Sequence, residues 1–265
     1  MMEKMIFGRY VPGESLLHRM DPRSKLIIVF LFVIVVFIAN NVPTYAVLAA
    51  YTFLMVGLSR IPLRFLYGGL KPVFLLVFFT FLLHIFMTKE GPIILELGWL
   101  KIYEEGLRQG IFISLRFLLL ILVTSLLTLT TTPIEITDGL ETLLNPLKKW
   151  KFPVHELALM MSISLRFIPT LMQETDKIMK AQTARGVEYN SGPVKERIKA
   201  IIPLLIPLFI SSFKRAEELA VAMEARGYKG GEGRTKYRQL AWGMVDTAML
   251  LFLGAVTVLL FVLRG

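Results

Sequence analysis

Long apolar runs joined by short polar links fill the first half of the chain. Residues 26–39, 43–58, 66–87 and 107–132 form four such runs, and residues 240–263 form a last one. A bilayer core of about 30 Å takes roughly 20 apolar residues in a helix, so each run reads as a membrane span. The first is short for that task, which places Lys25 and the Asn40-Asn41 end at the two interfaces. Asp21-Pro22 starts it well, with Asp as the N-cap and Pro at the first helical position. The Asn-Asn-Val-Pro link has room only for a tight turn, so the first two runs form a helical hairpin. Lys71-Pro72 interrupts the third run near its start. Residues 88–106 are mixed, and their pattern leaves a small hairpin and an interfacial loop both open.

Between Pro133 and Gln239 the composition shifts to charge, Pro and Gly. Two weaker apolar runs lie inside. Leu157, Met160, Met161, Ser164, Ile168, Leu171, Met172, Thr175, Ile178 and Met179 recur at helical spacing, while Glu174, Asp176, Lys177 and Lys180 fall on the other side. That pattern predicts one long amphipathic helix rather than a span. Residues 198–213 hold Pro203 and Pro207 and carry basic residues on both flanks, which reads as a bent helix lying on the membrane or on its neighbour. It runs on into an amphipathic stretch with Phe209, Phe213, Ala216, Ala220 and Met223 on one face. The expected architecture is an all-α membrane protein. It has about five transmembrane helices: a four-span bundle over 1–132, a coupling region of long amphipathic helices over 133–239, and a C-terminal span over 240–265.

Composition agrees with a membrane protein: 55% of the residues are hydrophobic. There is no cysteine, which excludes disulfides and thiolate metal sites. The net charge of +10 carries no nucleic-acid signature with it; in a membrane chain it reports cytoplasmic loops facing anionic lipid. With the N-terminus inside, residues 1–25, 59–71 and 133–239 are cytoplasmic. Only Lys89, Lys101, Arg108 and Arg264 then fall outside, and Arg116 lies within the fourth span. The opposite orientation breaks the positive-inside bias.

Catalytic chemistry is hard to find. There is no Walker P-loop and no Gly-x-Ser-x-Gly elbow, and His18, His84 and His155 lack metal-ligand spacing. No cofactor or metal is implied. Arg116 and Asp246 are expected to serve structure, Asp246 at an interface. What stands out is a repeated tripeptide, Ala184-Arg185-Gly186 and Ala225-Arg226-Gly227. Each closes a helical pattern with Gly, the usual left-handed stop, and puts Arg at the negative end of the helix dipole. One reading is a pair of ordinary helix ends. The other is a matched pair of exposed guanidinium tips, suited to bidentate pairing with a carboxylate or to bridging carbonyls on a partner.

The chain resembles the EcfT family, the transmembrane T components of energy-coupling factor transporters. The matching residues are Asp-Pro-Arg-Ser-Lys-Leu (21–26), Arg166-Phe167-Ile168-Pro169, Ala-Gln-Thr-Ala-Arg-Gly (181–186) and Ala-Met-Glu-Ala-Arg-Gly-Tyr (222–228), in order along nearly the whole length. The resemblance implies a non-catalytic subunit in the cell membrane. It implies docking onto two ABC-type ATPase subunits through Ala184, Arg185, Gly186, Ala225, Arg226 and Gly227, and packing against one S component that binds a vitamin or metal ion. T components dedicated to cobalt, nickel or biotin share these features, and the sequence does not name a substrate. A secondary transporter or channel would need inverted repeats and intramembrane polar sites, and neither is evident. The charge asymmetry makes one expectation direct. A cysteine at Gly230 of this cysteine-free chain reacts with a membrane-impermeant maleimide only in inside-out vesicles; labelling of intact cells overturns the orientation.

Overall fold

In the computed structural model, residues 10–97, 100–189, 191–230 and 239–264 are described. Lys4, Arg9 and the 231–238 stretch of the expected coupling region lie outside them. The chain divides into two compact units, one of residues 8–143 with 239–265 and one built on residues 144–238.

The first unit is a helical bundle. After a short α1 (Leu16–Arg19) come α2 (Pro22–Val36), α3 (Val42–Ser59), α4 (Leu63–Met87), α5 (Glu104–Thr130), α6 (Pro133–Leu144) and, after the second unit, α9 (Met244–Leu263). Local signals set the boundaries. The Asp21 side chain caps α2 by accepting from the Arg23 N–H, with Pro22 in the first turn. Asn41 and Thr44 cap α3 reciprocally, and the Asn41 amide donates to the Leu263 carbonyl at the end of α9 (2.8 Å). The undecided segment is a hairpin: β1 (Ile93–Leu97) pairs antiparallel with β2 (Leu100–Tyr103).

By length and composition α3, α5, α9 and, in the second unit, α7 (Val154–Ala184) can cross a membrane, and α4 makes a fifth if its halves, bent by 53° on either side of Pro72, form one span. This differs from expectation at two helices. α2 has 15 residues, about 22 Å of helix, and so falls short of the bilayer core by itself. α7 qualifies on its apolar first half, although charge crowds its second half.

The core of the bundle lies between α2, α3, α5 and α9. Phe32, Val36, Leu48, Leu119, Leu253 and Leu260 are fully buried there. Tyr51 stacks between Phe32 and Phe252, with centroids 5.6 and 5.5 Å away. α4 and α5 approach closely through Gly106 and Gly110, one turn apart on α5. A Cβ on Gly106 would meet the His84 and Thr88 carbonyls at 3.0 Å, and one on Gly110 would meet Phe81 at 3.1 Å. Small residues at this spacing let membrane helices touch backbone to backbone.

Arg116 faces inward. It donates to the Ala39 carbonyl (3.2 Å) and lies 5.1 Å over the Phe37 ring, so it closes the end of α2. Asp246, in the first turn of α9, is enclosed by the bundle, being 2% exposed. Its Oδ1 accepts from the Asp21 N–H (2.9 Å) and the Ser24 hydroxyl, and its Oδ2 from the Gly243 N–H (2.7 Å). Around it, Arg23 grips Asp21 through Nε (3.0 Å) and Nη2 (2.7 Å), and Lys25 donates to the Thr130 carbonyl and Thr131 hydroxyl. Burial pushes the Asp21 carboxyl up, but the hydrogen bonds and charge of Arg23 outweigh it and hold its pKa below the ordinary value. The Asp-Pro-Arg-Ser-Lys motif is thus a knot tying the start of α2 to the end of α5 and the start of α9. Asp246→Ala leaves the buried Asp21 N–H without its acceptor and removes the acceptor that Ser24 and Gly243 share with it, and is expected to cost about 2 kcal/mol. A fall of several degrees in the detergent melting temperature reports it, and an unchanged melt counts against the knot.

Candidate functional site: two arginine-tipped helices

The second unit opens with a 3-10 turn (Asn145–Trp150) and consists mainly of α7 (Val154–Ala184) and α8 (Val194–Ala225). The two helices pack antiparallel. Gln182 near the end of α7 reaches the Pro203 carbonyl of α8, whereas Glu174, two turns earlier, meets Ser211 and Arg215 further along α8.

Each contact has a local cause. Pro207 has no N–H, so the Pro203 carbonyl, four residues earlier, loses its partner inside the helix. The Gln182 amide donates to that carbonyl (3.4 Å). Glu174 takes the Ser211 hydroxyl on one oxygen and Arg215 Nη2 on the other (3.0 Å). The Ser211 hydrogen bond does most to hold the Glu174 carboxyl below its ordinary pKa; partial burial opposes it and the Arg215 charge adds to it. Beyond the Glu174 contact, toward the start of α7 and the end of α8, Ile163, Phe167, Leu171, Ala216, Leu219 and Met223 line a groove along the pair. The expected apolar faces are only partly used. Met160, Met161, Phe209 and Phe213 stay exposed, because the apolar arc of each helix is wider than the strip its neighbour covers.

Both tripeptides end their helices in the same way. Arg185 and Arg226 are the C-caps, with φ −90°, ψ 9° and φ −87°, ψ 9°. Gly186 and Gly227 follow with φ +88° and +74°. Gly186 N–H bonds the Thr183 carbonyl and Val187 N–H the Gln182 carbonyl, both at 3.0 Å. Gly227 N–H bonds Glu224 (2.9 Å) and Tyr228 N–H bonds Met223 (3.0 Å). These are two Schellman turns, which satisfy carbonyls that the helix itself leaves open. Nothing lies within 4 Å of where a Cβ on either glycine would stand, so backbone conformation, and not crowding, requires glycine there. Ala184, Arg185, Ala225 and Arg226 are all exposed, and neither arginine has an ion pair among the described residues.

The geometry is nearly symmetric. Arg185 lies 11 residues beyond Glu174, and Arg226 lies 11 beyond Arg215. No proline interrupts either arm. Because the helices run in opposite directions, the two guanidinium tips stand at opposite ends of the pair, up to about 33 Å apart at ~1.5 Å per residue. Sequence spacing found the tips. It missed the Glu174–Ser211–Arg215 pin and the Gln182 contact, whose partners are joined only by the fold. The Pro203/Pro207 spacing was the available signal for the second.

Among the described residues no group of three or more His, Asp or Glu side chains is placed to hold a metal ion. His18 spends both ring nitrogens on Ser15 and the Val11 carbonyl. An apolar bundle and, among the described residues, four or five helices long and apolar enough to cross a bilayer define a multi-pass membrane protein. The sequence profile of the CbiQ family, described as a cobalt transport protein, matches residues 13–237. The energy-coupling factor transporter transmembrane protein EcfT of Bacillus subtilis (strain 168) is 70% identical over 265 residues, all of both chains. The proteins of that name from Listeria innocua and Streptococcus thermophilus are 58% identical over 265 residues and 51% over 264, again covering all of both chains. The chain belongs to this family of energy-coupling factor transporter transmembrane proteins.

The left-handed stop makes a local test. Gly227→Ala should cost the last turn of α8 about 1 kcal/mol. Amide exchange at residues 226–228 should speed up about fivefold, and an unchanged rate shows that the turn does not need glycine.

Proposed function

We propose that the chain is the energy-coupling subunit of an importer, using α7 and α8 as levers worked by ATPase subunits of other chains. The observation that carries this reading is the pair of matching Schellman ends, each presenting an exposed arginine with no ion pair among the described residues, at opposite ends of one helix pair. A cation needed only to complement the helix dipole has no reason to recur with the same alanine and glycine around it.

In this reading Arg185 and Arg226 each contact one of two cytoplasmic ABC-type ATPase subunits. Ala184 and Ala225 permit close approach, and Gly186 and Gly227 end the helices so that the arginines project. Closure of the ATPases on ATP brings their docking surfaces together and drives the tips inward. The Glu174–Arg215 pin and the Gln182 contact hold α7 and α8 together, so force on a tip moves the pair rather than bending one arm. The uncovered apolar stripe of Ile202, Ile206, Phe209, Ile210 and Phe213 on α8 suits a hydrophobic partner, the substrate-binding S component. The apolar bundle anchors the machine in the cell membrane, with the N-terminus and the tips in the cytoplasm. The chain itself catalyses nothing, since ATP turnover belongs to subunits that carry the P-loop this sequence lacks.

Arg185→Ala with Arg226→Ala should insert normally and yet lose both the ATPase subunits on affinity purification and more than about 90% of uptake, as expected when charge-assisted contacts at an interface centre are removed. Wild-type complex yield and uptake from the double variant would refute the reading.

A further inference from the structure

The near-symmetry of the helix pair exposes a difference between its ends. A displacement of 41 positions carries Ala184-Arg185-Gly186 onto Ala225-Arg226-Gly227 and Glu174 onto Arg215. At the second tip a groove of about 550 Å³ lies between the helices. From α7 it takes Leu159, Ser162, Ile163 and Arg166, which share one helical face. From α8 it takes Leu219, Met223 and Arg226, followed by the Gly227–Gly230 turn. The half-buried aliphatic side chains make an apolar floor. Arg166, Arg226 and Lys229, all exposed, make a rim with three positive charges and, among the described residues that line it, no carboxylate.

The same displacement gives a different answer at the first tip. Lys229 corresponds to Glu188, which is held by the Ser191 hydroxyl. Arg166 corresponds to Pro207, and Met223 to Gln182, whose amide is already engaged by the Pro203 carbonyl. One end of the pair carries three cations around an apolar floor. The corresponding positions at the other end carry one cation and one anion.

We propose that Arg166 is a third docking arginine, serving the second tip alone, and that the groove it shares with Arg226 receives an acidic segment of the ATPase subunit seated there. This rests on the lever reading above and adds to it that the two tips are not interchangeable. Charge complementarity selects the occupant. Two arginine forks and an ammonium over an apolar floor fit one or two carboxylates flanking an aliphatic side chain on a protein loop. The groove opens beside Arg226, so whatever Arg226 grips is within reach of Arg166 too.

The test uses the chain co-produced with its two ATPase subunits, captured through a tag on the chain and washed at increasing NaCl. Arg166→Gln should release the ATPase of the second tip at lower salt than the wild type, with an apparent affinity about tenfold weaker. Arg166→Lys should recover most of the loss and Arg166→Glu should deepen it; a merely structural role would not follow that order of charge. Glu188→Gln should not weaken the complex. Arg166 is exposed, and a monodisperse elution profile for each variant reports that the fold is intact. If Arg166→Gln behaves as wild type at every salt while Arg226→Gln still dissociates, the proposal fails and the lever reading stands. If Arg185→Gln and Arg226→Gln also retain both ATPases, the lever reading falls with it. If Arg166→Gln leaves the ATPases bound but lowers the anionic phospholipid carried through purification, the groove holds lipid and the proposal is overturned.

Discussion

A helix ends with carbonyl groups that its own hydrogen-bonding pattern cannot satisfy, and the functional half of this protein depends on how that problem is solved. At both α7 and α8 the chain reverses through a left-handed glycine so that two following amides fold back onto those carbonyls. The residue just before the glycine then stands at the rim of the last turn with its side chain directed outward. It is an arginine both times, free of any ion pair among the described residues. Backbone bookkeeping thus fixes where each charge stands. The charge itself is left available to another molecule.

The bundle meets a similar demand with side chains. Chain starts and ends that meet in an apolar surrounding bring amides and hydroxyls with them, and these need acceptors. Asp246 supplies an acceptor to three donors from two segments distant in sequence, and Arg23 and Lys25 are paired or hydrogen-bonded around it. A charged group this deep is costly by itself. It is tolerated here because nearly every lone pair is used, and the same saturation makes the arrangement specific to one packing of α2, α5 and α9.

The sequence showed the helices, their class and the two tips plainly, because apolar period, capping residues and a repeated tripeptide are local signals. Membership of the family was visible in the same motifs. What stayed hidden was relational. Nothing in the sequence near Asp246 reveals that Ser24 and the Asp21 amide will meet it. Met160 and Phe209 look like core by spacing, and only the width actually covered by the neighbouring helix leaves them exposed. Gly106 and Gly110 carry a small-residue spacing that a reading of apolar runs passes over, since it gains meaning once α4 lies against them.

The two prolines of α8 have a mechanical corollary. Each removes one backbone bond, and the vacancy that Pro207 leaves at the Pro203 carbonyl is filled from α7 by a single amide group. Slippage of one rod past the other by a full turn would strand that oxygen and also part Glu174 from both of its partners. Lengthwise gliding is therefore blocked, and because the two attachments stand eight residues apart on α7, about 12 Å at ~1.5 Å per residue, a swing about either one would part the other, so load on either end is carried by both helices together.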